Sequence, residues 1–219
     1  MTHAVLLSHG SVDPRYAVAA AELEADVATL LPGTTVHSAV LDHGPALAEA
    51  AEQARAAGAT RLRVVPLFLT PAFHARVDVP AAVEEARSRT GLPIDVTPPL
   101  GTQQDLLDVL GAELPSGPVI LAVAGTSDAA AQAALERAAS EWAGRRGSEV
   151  RVAHCALGTP SLADVLPAHP TASIARYVLF PGALTDRIAN AAQGRAIAGP
   201  LYAHRQTAER IAALLADDA

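Results

Sequence analysis

Short apolar segments rich in β-branched residues alternate along the chain with longer, alanine-rich amphipathic segments. Alternation of this kind, with strands that are apolar almost throughout, predicts parallel β-sheets covered by helices on both faces. The predicted strands are residues 3–8, 35–41, 61–69, 93–98, 119–124, 149–157, 175–180 and 195–199. The predicted helices lie near residues 14–31, 45–57, 78–89, 103–113, 127–145, 161–167, 183–193 and 204–217.

The second half of the sequence repeats the first. Four segments recur in the same order: HGSVD (9–13) as AGTSD (124–128), PALAE (45–49) as PSLAD (160–164), LTP (69–71) as LFP (179–181), and PL (99–100) as PL (200–201). Ordered matches of this kind indicate an internal duplication. The offset between matching segments decreases along the chain, from 115 residues at the first match to 101 at the last, which predicts shorter loops in the second copy.

The duplication predicts an α/β fold of two similar Rossmann-like lobes. Each lobe is expected to be a parallel four-stranded sheet flanked by helices, with a cleft between the two lobes. The Pro/Gly-rich residues 114–118 separate the copies, so the expected domains are residues 1–114 and 115–219.

Composition narrows the classes of function. The net charge of -7 argues against nucleic-acid binding, which needs a basic face. No apolar stretch approaches the roughly 18–20 residues of a membrane span. The single cysteine, Cys155, and an N-terminus without a signal-peptide pattern predict a cytoplasmic protein. No glycine pattern typical of phosphate binding occurs, so ATP is not implied.

Three polar residues follow three successive strands of the first copy. Ligands of open α/β sheets bind beyond the carboxyl ends of the strands. His9 follows the first strand, Asp42 the second, and His74 lies in the loop after the third. Two imidazoles and a carboxylate suit Fe²⁺, Co²⁺, Ni²⁺ or Zn²⁺. Two alternatives stay open: Asp42 caps the next helix, or His43 takes its place as a ligand.

The second copy lacks all three candidate groups. The corresponding positions carry Ala124, Leu157 and Leu184. Their joint loss indicates one functional site, confined to the N-terminal lobe. His37 is expected to pack against a helix, and four further histidines are expected to be structural or solvated: His3, His154, His169 and His204.

The sequence resembles the class II chelatases, the sirohydrochlorin cobalto- and ferrochelatase family. The similar segments of the first copy are LLSHGSVDP (6–14), VVPLFLTPAFHARVDVPAAVEEA (64–86) and PPLGTQQDLLDVL (98–110). Those of the second copy are VAGTSD (123–128), GTPSLADVL (158–166) and LFPGALTDRI (179–188), which resemble the degenerate repeat of long, two-lobed members.

The resemblance implies a lyase that inserts a divalent metal, Fe²⁺, Co²⁺ or Ni²⁺, into sirohydrochlorin, without ATP. It implies that His9 and His74 bind the metal and take part in catalysis, with Asp42 at a position where many members carry Glu. Whether the product is siroheme or a cobalamin precursor stays open, as does the choice between monomer and homodimer.

Sirohydrochlorin is a polycarboxylate, so the protein must offer local positive charge and hydrogen-bond donors. Side chains expected to bind it are Ser11, Arg15, Thr70, Arg76, Ser127, Thr185 and Arg187. Two other functions are compatible with the sequence. One is a non-catalytic carrier of metal or tetrapyrrole. The other is a hydrolase with His9 as nucleophile, disfavoured because Ser8 rather than an arginine precedes it.

Overall fold

The computed structural model describes residues 2–70 and 74–216, except the side chains of residues 74 and 75. The first half contains β1 (Thr2–Ser8), α1 (Pro14–Leu30), β2 (Thr34–Val40), α2 (Leu47–Ala56), β3 (Leu62–Pro66), a π-helical turn (His74–Asp78), α3 (Val79–Thr90), β4 (Ile94–Val96) and α4 (Gln104–Ala112). The second half contains β5 (Val119–Gly125), α5 (Ala129–Arg146), β6 (Val150–Leu157), α6 (Leu162–Val165), a 3-10 turn (Leu166–Ala168), β7 (Ser173–Tyr177), α7 (Ala183–Ala192), β8 (Ile197–Ala198), a second 3-10 turn (Leu201–Ala203) and α8 (Arg205–Ala216).

The strands form two parallel four-stranded sheets, as the sequence predicts. Their orders are β2-β1-β3-β4 and β6-β5-β7-β8, so the same connectivity is used twice. In the first sheet β1 is central and pairs with β2 and β3 on either side. In the second sheet β5 takes the same place between β6 and β7.

Burial of both faces explains the apolar strands. Every residue of β1 from His3 to Ser8 is buried. Val5 and Leu7 belong to a core cluster with the apolar faces of α2 and α3. The opposite face of a parallel sheet needs its own cover, which α1 provides in the usual way, with Leu23 and Val27 fully buried.

The second copy is reduced in one helix and one strand. The counterpart of α2 is α6, only four residues long. Helix α6 ends at Val165 and continues directly into the 3-10 turn that contains Pro167. Strand β8 contains two residues. The shortening expected in loops therefore falls largely on a helix. Among the described residues, no helix combines the length and hydropathy that crossing a membrane requires.

The chain divides into two compact units that differ from the expected domains 1–114 and 115–219. The first unit contains the residues up to Gly101 and those from Thr207 onward, and the second contains Thr102–Gln206. Helix α4 belongs to the second unit because its apolar face, including Leu107 and Leu110, is buried there beside α5 and β7. Most of α8 belongs to the first unit, where the Leu214 carbonyl accepts a hydrogen bond from Arg63.

Candidate functional site

The backbone brings His9 and Asp42 together at the carboxyl end of the first sheet. Strands β1 and β2 stay paired past their ends: the Leu41 amide donates to the Ser8 carbonyl, and the Asp42 amide donates to the His9 carbonyl, both at 2.9 Å. Both His9 and Asp42 have exposed side chains. An imidazole and a carboxylate therefore lie on adjacent strand ends, where a ligand can reach them.

Gly10 makes this close approach possible. Its φ is +95°, and a Cβ built on it would lie 1.8 Å from the Asp42 carbonyl oxygen. No side chain fits at that distance, and positive φ also favours glycine. The turn after β1 therefore holds His9 beside Asp42 only with glycine at this position.

The same turn starts helix α1. Asp13 is its N-cap and accepts a hydrogen bond from the Arg15 amide at 3.0 Å, while the Ser11 hydroxyl oxygen accepts one from the Asp13 amide at 3.1 Å. The Arg15 guanidinium binds both Asp13 carboxylate oxygens and lowers the pKa of that carboxyl to about 2. Ser11 and Arg15 thus shape the turn, and their predicted contacts with substrate stay predictions.

A hydrogen bond between Ser8 and Tyr16 also anchors the turn, and no sequence pattern predicts it. The Ser8 hydroxyl, buried at the end of β1, is hydrogen-bonded to the phenol of Tyr16 in the first turn of α1. Burial raises the pKa of Tyr16, so the phenol stays protonated near neutral pH. This pair ties the residue before His9 to the helix that follows.

Asp42 is engaged by its neighbour. Its carboxylate accepts a hydrogen bond from the His43 amide at 3.0 Å and lies 3.2 Å from the Nε2 atom of the His43 ring. His43 has a φ of +60°, an uncommon conformation that turns its ring back toward the carboxylate. About half of each side chain is exposed. The two alternative third ligands are therefore held together as an exposed pair.

The third expected ligand lies partly outside the described structure. His74 begins the π-helical turn that precedes α3, but its side chain lies outside the described residues, as do residues 71–73. Short π-helical segments are frequent at functional sites. Arg76 in this turn is exposed, and Thr70 before it is half-buried. Within the described residues, which exclude the His74 ring, no group of three His, Cys, Asp or Glu is arranged to hold a metal.

The second copy keeps the backbone of the site and lacks its polar groups. Gly125 has a φ of +98°, and a Cβ on it would lie 1.8 Å from the Leu157 carbonyl oxygen, as at Gly10. Asp128 caps α5 as Asp13 caps α1. Ala124 and Leu157 thus occupy the places of His9 and Asp42, and the Leu157 side chain is 61% exposed. The geometry agrees with the sequence alignment at these two positions.

The expected substrate-binding residues of the second copy have different surroundings. Ser127 is exposed. Thr185 is buried, and its hydroxyl donates to the Gly182 carbonyl and accepts from the Gly182 amide, so it caps α7. This role differs from the expected contact with substrate. Arg187 is exposed and donates to the Cys155 carbonyl at 2.8 Å.

Two histidines expected to have separate roles form a pair instead. The His3 ring is buried, and its Nδ1 atom lies 3.1 Å from the Nε2 atom of His37, with the rings stacked. Burial and the neighbouring His3 lower the pKa of His37. Both histidines lie on the paired strands β1 and β2, where His3 is opposite Thr35. We therefore assign the pair a structural role.

Comparison with known proteins identifies the family of this chain. The model of the CbiX family matches residues 3–116, which contain His9, Asp42 and His74. The structure is similar to SirB from Bacillus subtilis with Fe³⁺ (TM-score 0.82, 23% identity, 98% of this chain and 94% of that chain). It is also similar to the sirohydrochlorin chelatase SirB from Bacillus subtilis subspecies spizizenii in complex with cobalt (TM-score 0.83, 21% identity, 98% of this chain and 94% of that chain).

A curated relative agrees. The sirohydrochlorin ferrochelatase of Priestia megaterium is 27% identical in an alignment 146 residues long that covers 60% of this chain. The chain spans 55% of the length of that relative. The fold of the two SirB structures and the family match over more than half of the sequence confirm the resemblance to chelatases, and the chain belongs to the CbiX family.

Proposed function

We propose that this chain is a metallochelatase that inserts Fe²⁺ or Co²⁺ into sirohydrochlorin without ATP. The observation that carries the proposal is the backbone contact that holds His9 beside Asp42 at the carboxyl end of the first sheet. These residues lie in the segment that the CbiX model matches. The ferrochelatase relative and the SirB complexes with iron and cobalt support the choice of reaction and metals.

The metal ion is a substrate in this reaction, so it must be bound and then released into the macrocycle. Imidazole suits this task because it is a good ligand for borderline divalent metals when neutral and accepts a proton near neutral pH. We assign metal binding to His9 and His74. We also assign to them part of the removal of the two pyrrole protons that the ion replaces.

Asp42 supplies negative charge next to His9. One oxygen of its carboxylate accepts a hydrogen bond from the His43 amide, and the second oxygen faces the His43 ring. Because this contact is exposed, it is weak and can be exchanged for a metal ion or a proton. We propose that Asp42 completes the coordination of the ion or orients an imidazole, and that His43 steadies the carboxylate.

The carboxylates of the substrate need cationic partners. Arg15 is bound to Asp13 at the surface, and such an exposed ion pair is weak enough for a substrate carboxylate to compete with Asp13. Arg76 lies exposed in the turn that begins with His74. We propose that these two arginines bind substrate, with Ser11, Thr70 and Ser127 as further polar contacts.

Insertion kinetics test the proposal. The absorbance of purified sirohydrochlorin is followed after addition of Fe²⁺ or Co²⁺, with the wild type, His74→Ala and the matched variant Leu184→Ala. We expect His74→Ala to abolish catalysis and Leu184→Ala, at the corresponding position of the second copy, to reduce it far less. An unimpaired His74→Ala variant contradicts the assignment. A wild type that binds metal tightly without accelerating insertion identifies a carrier instead.

A further inference from the structure

The second unit contains a cavity of about 560 Å³ beside strand β6. Its wall is mostly apolar, with Leu162 from α6 on one side and Ala191 from α7 on another. The shortened α6 explains it: in the first unit the ten-residue helix α2 packs along α3, whereas α6 has four residues and leaves apolar space uncovered. A volume of this size is typical of small-molecule sites.

Two arginines line the cavity. Arg187 donates to the Cys155 carbonyl, and Arg195 donates to the Ala192 and Leu166 carbonyls. The Nε atom of Arg195 is buried and has no hydrogen-bond partner within the described residues. Neither guanidinium forms an ion pair with any described residue, and the described lining contains no Asp or Glu. In a protein with a net charge of -7, two uncompensated cations at one cavity favour an anionic ligand.

A buried imidazole completes the polar part of the wall. His154 is 3% exposed, lines the cavity, and its Nδ1 atom has no hydrogen-bond partner among the described residues. Nδ1 itself faces the backbone, since Cβ atoms built on Gly158 and Gly125 would lie 2.7 and 3.1 Å from it, and neither glycine lines the cavity.

The first unit shows that the fold does not need this imidazole. The amide of His154 donates to the Pro160 carbonyl at 2.9 Å, and the amide of Val40 donates to the Pro45 carbonyl at the same distance. Val40 therefore occupies the equivalent place, and it is an ordinary buried apolar residue. The fold therefore accepts an apolar side chain at this place, and the imidazole gives the cavity of the second unit a polar group that the first unit lacks.

We infer that this cavity binds a small organic anion, an apolar body that carries one oxyacid group. The body fills the space left by the short α6, and the oxyacid group is bound by Arg187 and Arg195 beside the His154 ring. The residues that line the cavity belong to the second unit, whereas His9 belongs to the first. It goes beyond the proposed metal insertion.

Isothermal titration calorimetry of the full chain tests the site with benzoate and its neutral analogue benzamide. We expect benzoate to bind once per chain and benzamide to bind at least about tenfold more weakly, because it lacks the charge. His154→Val, which introduces the residue of the first unit, should weaken benzoate at least about tenfold. Ala191→Leu, which fills the cavity, should abolish binding. Insertion of metal by His154→Val should stay at the wild-type rate.

Three results would overturn the inference: no binding of benzoate, equal binding of benzoate and benzamide, or equal benzoate affinity in all variants. If His154→Val does not fold, as judged by circular dichroism, Arg195→Gln replaces it because glutamine keeps an amide donor and removes the charge. Unchanged benzoate affinity in a folded Arg195→Gln variant would likewise contradict the site.

Discussion

The Asp42 carbonyl oxygen lies where a side chain on Gly10 would begin, and a Cβ there would approach it to 1.8 Å. The contact joins the turn after β1 to the turn after β2, and the hydrogen bond between the His9 carbonyl and the Asp42 amide reinforces it. The relative position of the His9 and Asp42 main chains is thus set by backbone atoms and does not depend on the rotamers of the two side chains.

Gly10→Ala should therefore separate His9 from Asp42. We expect a loss of stability of more than about 1 kcal/mol, because the new methyl group combines positive φ with a steric clash. Insertion should fall at least about tenfold, since catalysis is sensitive to small displacements of catalytic groups. Urea unfolding and insertion kinetics measure the two effects.

Two glycines provide the controls for that experiment. Gly33→Ala tests positive φ alone, because Gly33 has a φ of +86° and no atom within 4 Å of a built Cβ. Gly125→Ala repeats the clash in the second copy, against the Leu157 carbonyl. Both should lower stability and leave insertion closer to wild type. Equal loss of insertion in Gly10→Ala and Gly125→Ala would contradict a site confined to the first copy.

The exposed pair of Asp42 and His43 allows the third ligand to be identified. Asp42→Asn keeps the size of the side chain and removes its charge, and we expect kcat/KM to fall about 10- to 100-fold. His43→Asn keeps a residue that tolerates the observed positive φ, and its effect should be within about threefold of wild type. The reverse order of effects, measured with Co²⁺ as substrate, would make His43 the ligand.

The pair of His3 and His37 predicts how stability depends on pH. Burial first, and His3 second, lower the pKa of His37 below its ordinary value of 6.5. The unfolded chain therefore binds a proton more readily than the folded one, so the free energy of unfolding should fall as the pH decreases below 6.5. His37→Gln removes the titrating group and should flatten the curve between pH 7 and pH 5. An identical slope in both proteins would refute this origin.

Cys155 should react slowly in the folded protein. Burial raises the pKa of its thiol to about 11, against the opposing effect of Arg187. At pH 8 roughly one thiol in a thousand is then ionised, and only the thiolate attacks a disulfide reagent. Labelling with a chromogenic aromatic disulfide should be at least about tenfold slower than in urea-unfolded protein. Equal rates would show that the thiol is accessible and ionised.

Much of the fold follows from the sequence because the same pattern of strands and helices occurs in two copies. The strand pattern and the duplication predict two parallel sheets, and the turns at Gly10 and Gly125 have the same geometry. The units were harder to predict. A Pro/Gly-rich segment at residues 114–118 marks the end of the repeat, yet apolar side chains of α4 are buried beyond it, in the second unit. Packing of a helix face depends on contacts distant in sequence.

The candidate site was predictable in part. His9 and Asp42 meet as their positions after adjacent parallel strands suggest. The pairing of Asp42 with His43 depends on a positive φ that no sequence pattern specifies, and the cap formed by Thr185 depends on a local turn at Gly182. The placement of the His74 ring beside His9 stays a prediction. His154 was expected to be structural or solvated. The cavity that it lines arises because α6 is short, and no sequence motif specifies the length of that helix.

Each copy of the duplication gives its last helix to the compact unit built from the other copy: α4 to the second and most of α8 to the first. If the gene were divided between the copies, each fragment would carry an amphipathic helix that packs in the other unit, and each unit would lack one of its helices. We therefore expect that neither half folds on its own and that native protein forms only when both fragments are expressed together.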